Sequence, residues 1–176
     1  MKDYKIKQKF WSLGGKFDIL DQNGHLDYQV EGSLLRIPKQ FIILDKLGKP
    51  VSKITKRMFQ ILPKFDVEVR NGQNFQVKKN LTLIRDRYSV ENLGLNLVGD
   101  LWDMNFKLYK ADQEIASISQ KWLKINSTYD VKIYDETYAV EVLSLVIIID
   151  YVKQSEQSAV SKQWVIPLKE ERENLS

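Results

Sequence analysis

The chain contains no cysteine and one histidine in 176 residues. The first absence excludes disulfides, thiolate zinc sites, cysteine nucleophiles and palmitoyl anchors. The second leaves His25 as the one imidazole available for proton transfer near neutral pH, and its place after the Asn23-Gly24 turn reads as solvated. Walker A loops and nucleophile elbows are missing, and Gly14-Gly15 has no basic residue in P-loop position. No apolar run reaches the ~20 residues of a membrane-crossing helix. The basic start, MKDYKIKQKFW, lacks a signal-peptide core, so secretion by that route is not expected. These absences leave neither catalysis, nor a metal, nor a cofactor among the expectations.

Charge is modest as well. A net +4 with a pI near 9.1 is mild for this length, and dedicated nucleic-acid binding is not expected. Exposed charges are screened beyond roughly 8–10 Å at physiological salt, so local clusters matter more than the total. The 43% apolar and 28% charged content belongs to an ordinary globular chain. Residues 1–168 are expected to form one domain, and KEERENLS at 169–176 a disordered tail.

What the sequence does contain is alternation. In Tyr4 to Phe10, Lys5, Lys7 and Lys9 share one face, and Tyr4, Ile6 and Phe10 the other, the period-two pattern of a half-buried strand. Asn23-Gly24, Lys46-Leu47-Gly48-Lys49 and Asn71-Gly72 separate alternating segments, as hairpin turns do. Three segments also repeat one pattern, starting at Ile54, Val77 and Ile118. Four places on stand Met58, Leu81 and Trp122; seven places on, Ile61, Ile84 and Ile125; eleven on, Phe65, Tyr88 and Tyr129; thirteen on, Val67, Val90 and Val131. Each unit reads as a strand, a short crossover and a second strand opening at the aromatic. The uneven spacing, 23 and then 41 residues, excludes a regular solenoid or propeller. About a dozen strands exceed an open twisted sheet and point to a sandwich or a closed barrel.

One greasy run interrupts this pattern, YAVEVLSLVIIIDYV from Tyr138 to Val152. Glu141 and Asp150 make it too short and too acidic to span a bilayer. Val146 to Ile149 are β-branched and favour a strand, yet from Thr137 to Lys153 no Gly or Pro intervenes, longer than a usual strand. Asp135, Glu136 and Thr137 suit a helix start. A helix over about 137–152 that is apolar on nearly every side must be enclosed, and in an all-β chain the enclosure is the inside of a barrel.

These features together resemble the LURP-one-related family, which is similar to the phospholipid scramblases and to the C-terminal domain of Tubby. The resemblance rests on YQVEG (28–32), FIILDKLGKPVSKITKR (41–57), VGDLWDMNFKLYKADQEIASISQKW (98–122), TYDVKI (128–133) and the LVIIIDYV helix with Asp150. It implies a mainly β fold, a Tubby-like closed antiparallel barrel of about twelve strands around a hydrophobic C-terminal helix. Where the family commonly carries a glycine, between the Gly-Asp pair and the next Phe, this chain has Trp102, Asp103 and Met104. The stretch matching the scramblase calcium segment, Asp130 to Glu141, has Lys132 and Asp135 where a calcium loop wants an oxygen ligand and a glycine, and reads as a strand end and an acidic helix start.

The resemblance implies no catalytic activity. The Tubby likeness makes an anionic phospholipid headgroup or membrane surface the natural ligand, held by charge-assisted hydrogen bonds. The candidates are basic residues recurring in the three units: Lys56, Arg57, Lys78, Lys79, Arg85, Arg87, Lys121 and Lys124. The competing reading places them on outer strand faces, where they deter edge pairing. Trp11, Trp102, Trp122 and Trp164 lie near strand ends or turns; Trp122 reads as core, and Trp102 is the candidate interfacial indole. The expected protein is cytoplasmic, peripheral to a membrane and non-enzymatic. A protein-interaction scaffold with an unknown partner, or a small-ligand carrier, is the alternative.

Overall fold

The computed structural model describes residues 1–7, 16–33, 37–81, 87–121 and 128–173, with backbone alone at 7, 121 and 162–173. Twelve strands and one long helix make up the described chain: β1 (Lys2–Lys7), β2 (Lys16–Asp21), β3 (Leu26–Gly32), β4 (Gln40–Asp45), β5 (Pro50–Lys56), β6 (Lys64–Val69), β7 (Phe75–Asn80), β8 (Arg87–Glu91), β9 (Leu95–Asp100), β10 (Asn105–Lys110), β11 (Gln113–Lys121), β12 (Thr128–Ile133) and α1 (Ala139–Glu173). Every bonded pair is antiparallel. The order is β8-β7-β6-β5-β4-β3-β2-β1-β12-β11-β10-β9, an up-and-down ring closed by β1 against β12.

The expected barrel is therefore present, with one qualification: it is nearly closed. Strands β8 and β9 follow each other in sequence but end the sheet order instead of pairing. The turn between them has Asn92 and Gly94 at φ 72° and 61°. Its carbonyls are taken by side chains from either flank, Asn92 O by Gln73 and Leu93 O by Lys110 Nζ at 2.6 Å.

The repeated units prove to be strand pairs. The first residue of each stands directly opposite the thirteenth one on: Ile54 opposite Val67, Val77 opposite Val90, Ile118 opposite Val131. The two strands are adjacent and antiparallel, so the segment joining them is a wide hairpin loop and not a crossover. Its apolar positions behave differently from the strand positions. Phe65, Val67 and Val77 are buried, whereas Met58, Ile61 and Leu81 stand in solvent. Ile84, Trp122 and Ile125 lie outside the described residues.

Antiparallel order sends all connections to two ends. One end holds the short turns after β2, β4, β6, β8 and β10, and the start of α1. Asp21 and Asp45 shape two of these turns. Asp21 Oδ1 accepts from the N–H of Asn23 and His25 at 2.8 Å, and Asp45 Oδ1 from those of Leu47 and Lys49 at 2.9 Å. Backbone donors hold both carboxyls below their ordinary range. At Asn71-Gly72 the asparagine takes the left-handed conformation, φ 59°, and the glycine is needed for space: a Cβ there would lie 2.7 Å from Val69 Cγ1 and 3.0 Å from Glu141 Oε1. The other end holds the connectors after β1, β3, β5, β7, β9 and β11, all longer than those turns except the one after β9.

Inside the ring runs α1. A 3-10 turn, Glu136–Tyr138, capped by Asp135 accepting from Thr137 N–H, leads into it at the turn end. Nine consecutive residues, Val142 to Asp150, are each at most 1% exposed. A helix shows buried side chains on all sides only when protein surrounds it, and the inward residues of the ring, among them Tyr4, Ile19, Phe41, Ile54, Phe106 and Val131, supply that surround. Each helix Val, Leu or Ile so enclosed contributes about 1.5–3 kcal/mol. Ser144, the polar gap in the run, donates to or accepts from Ser52 Oγ of β5 at 2.9 Å and reaches back to Val140 O. The helix, expected to end near residue 152, continues to Glu173: Lys153 to Ile166 contain neither Gly nor Pro to stop it, and it runs on past Pro167. No helix among the described residues is long and apolar enough to cross a membrane.

Replacing Ile147 by Asp should abolish the folded state, since an unpaired carboxylate at this enclosed position costs on the order of 5 kcal/mol or more, comparable with the whole stability of a domain. Circular dichroism melting checks this against Val160→Asp on the exposed stretch of the same helix, which should melt as the parent does. A cooperative, unshifted melt for Ile147→Asp would contradict enclosure.

Candidate functional site

The candidate basic residues fall on the connector end, but on two faces of the wall. Successive strand residues point to opposite sides, so the pairs read together in sequence are split. Lys56 and Lys79 face inward around the emerging helix: Lys56 Nζ stands 5.5 Å from the Tyr151 ring centroid, and Lys79 Nζ bonds both Glu156 oxygens at 2.7 Å. Arg57, Lys78 and Arg87 face outward with Lys64, which the sequence reading missed. Lys64 is directly opposite Lys78, and Arg57 N–H donates to Lys64 O, so Arg57, Lys64 and Lys78 form one row across β5, β6 and β7. Register sets this row, and no single segment reveals it. Lys121 ends β11 at the same end, its side chain undescribed; Arg85 and Lys124 lie outside the described residues.

The row is partly engaged. Arg57 grips Asp66 with both arms, Nε at 2.7 Å and a terminal nitrogen at 2.9 Å, and Lys64 lies 3.5 Å from Glu91. Lys78 has no ion-pair partner among the described residues. Lys39, in the connector after β3, donates to Ser33 O and packs over Phe41; burial lowers its pKa. The opposite end carries Asp21, Asp45, Asp112, Asp135 and Glu136 in its turns, against Lys46, Lys49 and Arg70. The barrel thus has a basic end and an acidic one.

Trp102, singled out in sequence, is partly exposed in the β9–β10 turn at the basic end. Met104 there adopts φ 53°, a left-handed conformation, and packs inward with Leu101. Trp11 and Trp122 lie outside the described residues, and Trp164 has only its backbone described. His25 is solvated, 3.5 Å from Asp21. Of the suspected calcium segment, Asp130 pairs with Lys5 across β1, Asp135 caps the 3-10 turn and Glu141 is buried. Among the described residues no group of three His, Cys, Asp or Glu side chains is placed to hold a metal.

A buried polar cluster pins the helix where it leaves the barrel. Asp150 accepts from Tyr129 OH of β12 and from Gln154 Nε2 at 2.6 Å, with Lys153 beside it donating to Gln120. Burial pushes the Asp150 carboxyl up to about 7, although the Tyr129 hydroxyl and the Lys153 ammonium oppose the rise. Tyr129 is driven upward by the same burial and the adjacent carboxylate. Two cavities among the described residues lie away from this cluster, on the outer side of β1. One of about 710 Å³ is lined by Lys5, Lys16, Phe17, Asp18, Leu20 and Gln29, where β1 and β2 pair only at Tyr4–Asp21 and Lys5–Leu20. Its mixed charges favour no single ligand class.

A family model described as LURP-one-related matches residues 2–150. The chain belongs to the LURP-one-related family. Among curated relatives, the uncharacterized protein YxjI of Bacillus subtilis (strain 168) is 24% identical over 152 residues, covering 86% of this chain and 94% of that protein. A solved structure, that of the Arabidopsis thaliana protein AT5G01750, superposes with a TM-score of 0.54 at 17% identity, over 82% of this chain and 88% of that one. That likeness speaks for the fold. The LURP-one-related match ends at Asp150, the residue with which Tyr129 fastens the helix, so it covers the barrel and the enclosed part of its plug.

Asp150 makes stability depend on pH in a defined sense. Its folded pKa, about 7, lies above the ordinary value near 4, so the folded state binds a proton that the unfolded chain releases. The resulting stabilisation is complete below pH ~4 and lost as pH rises through ~7. Chemical denaturation should therefore show the protein less stable at pH 8 than at pH 5 by about 2–3 kcal/mol from this group. Asp150→Asn should flatten that slope; Glu141, raised by the same burial, leaves a remainder of the same sign. A slope unchanged in the Asn variant would refute the assignment.

Proposed function

We propose that this LURP-one-related protein is a non-catalytic, peripheral binder of anionic phospholipid surfaces that presents its connector end to the headgroups. The observation that carries the reading is the axial division of charge. Lys39, Lys56, Arg57, Lys64, Lys78, Lys79 and Arg87 gather at one end, while Asp-capped turns occupy the other. A net charge of only +4 would give weak, orientation-free attraction if evenly spread; concentrated on one face within a Debye length of a membrane, it orients the protein. Each basic residue near an anionic surface contributes roughly 1 kcal/mol. Lys78, without an ion pair among the described residues, is the most available of the row, whereas Arg57 must share its guanidinium with Asp66. The Tubby likeness of the sequence supports the same ligand class.

Vesicle co-sedimentation tests this. Binding should require phosphatidylserine in a phosphatidylcholine background and weaken as salt rises from low to physiological. Lys64→Glu with Lys78→Glu should cost at least about tenfold in affinity, and Lys46→Glu with Lys49→Glu, an equal charge change at the turn end, should cost little. Equal binding to neutral and anionic vesicles, or equal loss in both double variants, would sink the reading.

A further inference from the structure

The connector end is also where large apolar side chains stand in water. Phe59 is 96% exposed, Ile61 102%, Leu81 84%, Ile37 78%, Met58 43% and Trp102 39%. They come from four consecutive connectors around the ring, those after β3, β5, β7 and β9. The turn end exposes fewer: Met1, Leu26, Leu47 and Tyr134. Scattered surface hydrophobics need no explanation, but several gathered at one end of a barrel point to an interaction surface.

The backbone supports the display. Phe59 occupies the left-handed region, φ 57°, which is unfavourable for a bulky side chain. Here that cost falls on a residue whose ring stands almost wholly in solvent, so burial of the ring does not offset it.

Charge decides the occupant. Three of the four connectors place cations beside their apolar residues: Lys56 and Arg57 before Met58 and Lys64 after the loop, Lys78 and Lys79 before Leu81, Lys39 after Ile37; Trp102 instead lies between Asp100 and Asp103. An apolar tip with Lys and Arg a few residues behind it matches a bilayer boundary, where hydrocarbon lies roughly 5–10 Å beneath anionic headgroups. A partner protein of matching shape would need acidic groups ringing an apolar socket; a lipid surface offers both layers without further design.

We infer that the loop between β5 and β6 is a membrane-penetrating anchor, with Phe59 and Ile61 entering the acyl boundary while Arg57, Lys64 and Lys78 remain at the phosphates. Leu81, Ile37 and Trp102 form the rim that rests on the surface, so the barrel stands end-on with its helix exit facing the bilayer. Insertion presupposes the anionic-surface binding proposed above, and adds depth and orientation to it.

The absence of cysteine makes a site-specific probe simple. An environment-sensitive fluorophore is placed on the full chain at Ile61→Cys or, as control, at Leu47→Cys on the turn end. On phosphatidylcholine vesicles containing phosphatidylserine, the label at 61 should blue-shift, brighten several-fold and be quenched by acyl-chain nitroxides; the label at 47 should do none of these. Phe59→Ser with Ile61→Ser, exposed in the free protein, should melt as the parent does yet lose about tenfold or more in vesicle affinity. Vesicle binding that persists while the label at 61 stays in water overturns insertion and leaves the electrostatic reading standing. Failure of the parent to sediment with anionic vesicles overturns both. A parent that is dimeric by light scattering, and monomeric as the Ser variant, would assign the tips to a second copy and overturn insertion.

Discussion

Enclosure of one helix is the constraint on which the molecule depends. A twelve-stranded ring of this kind has too few wall side chains to fill its own interior, and the segment from Val142 to Asp150, apolar on every side, has no stable place in water. Each solves the other's problem. The join is made specific by polar contacts at chosen depths: Ser144 with Ser52 midway, Asp150 with Tyr129 at the exit, Glu156 with Lys79 just beyond. Apolar packing alone would tolerate a helix rotated or shifted by a turn; a buried carboxyl whose partner on the wall is a tyrosine hydroxyl does not.

Filling the interior also moves function outward. With the lumen occupied, a partner can be met only on the outer wall or at the ends, and the two ends differ because their connections differ in length. Tight turns need Asp, Asn and Gly for backbone reasons, which makes the turn end acidic and compact. The longer connectors are freed from that chemistry, and here they carry lysine, arginine and exposed apolar residues. The opening between β8 and β9 is the remaining irregularity, and side chains from either flank occupy carbonyls of the joining turn.

Much of this was legible in the chain. Alternation located the strands, Asn-Gly and Lys-Leu-Gly-Lys turns separated them, and the length of the greasy run, free of Gly and Pro, favoured an enclosed helix over a strand. The threefold pattern was also sound, and the register gives it a meaning: its first and thirteenth-on residues face each other across antiparallel neighbours. Recurrence does not report burial, nor adjacency a shared face. Met58, Ile61 and Leu81 recur in the pattern alongside buried strand residues, yet they stand in solvent. Lys56 with Arg57, and Lys78 with Lys79, looked like joint sites, yet adjacency along an extended chain separates side chains.

By itself, then, the sequence determined the elements and their class: period two for strands, turn chemistry between them, and a hydrophobic stretch that had to be surrounded. These are local properties, set by backbone sterics and side-chain solvation within a few residues. Tertiary structure alone decided that Lys64 stands beside Lys78, that Tyr129 meets Asp150, that β1 closes on β12 while β8 and β9 stay unpaired, and that the apolar loops share one end with the cations. Those relations join residues far apart in the chain, and they exist only once the register of the whole ring has been set by packing around the helix.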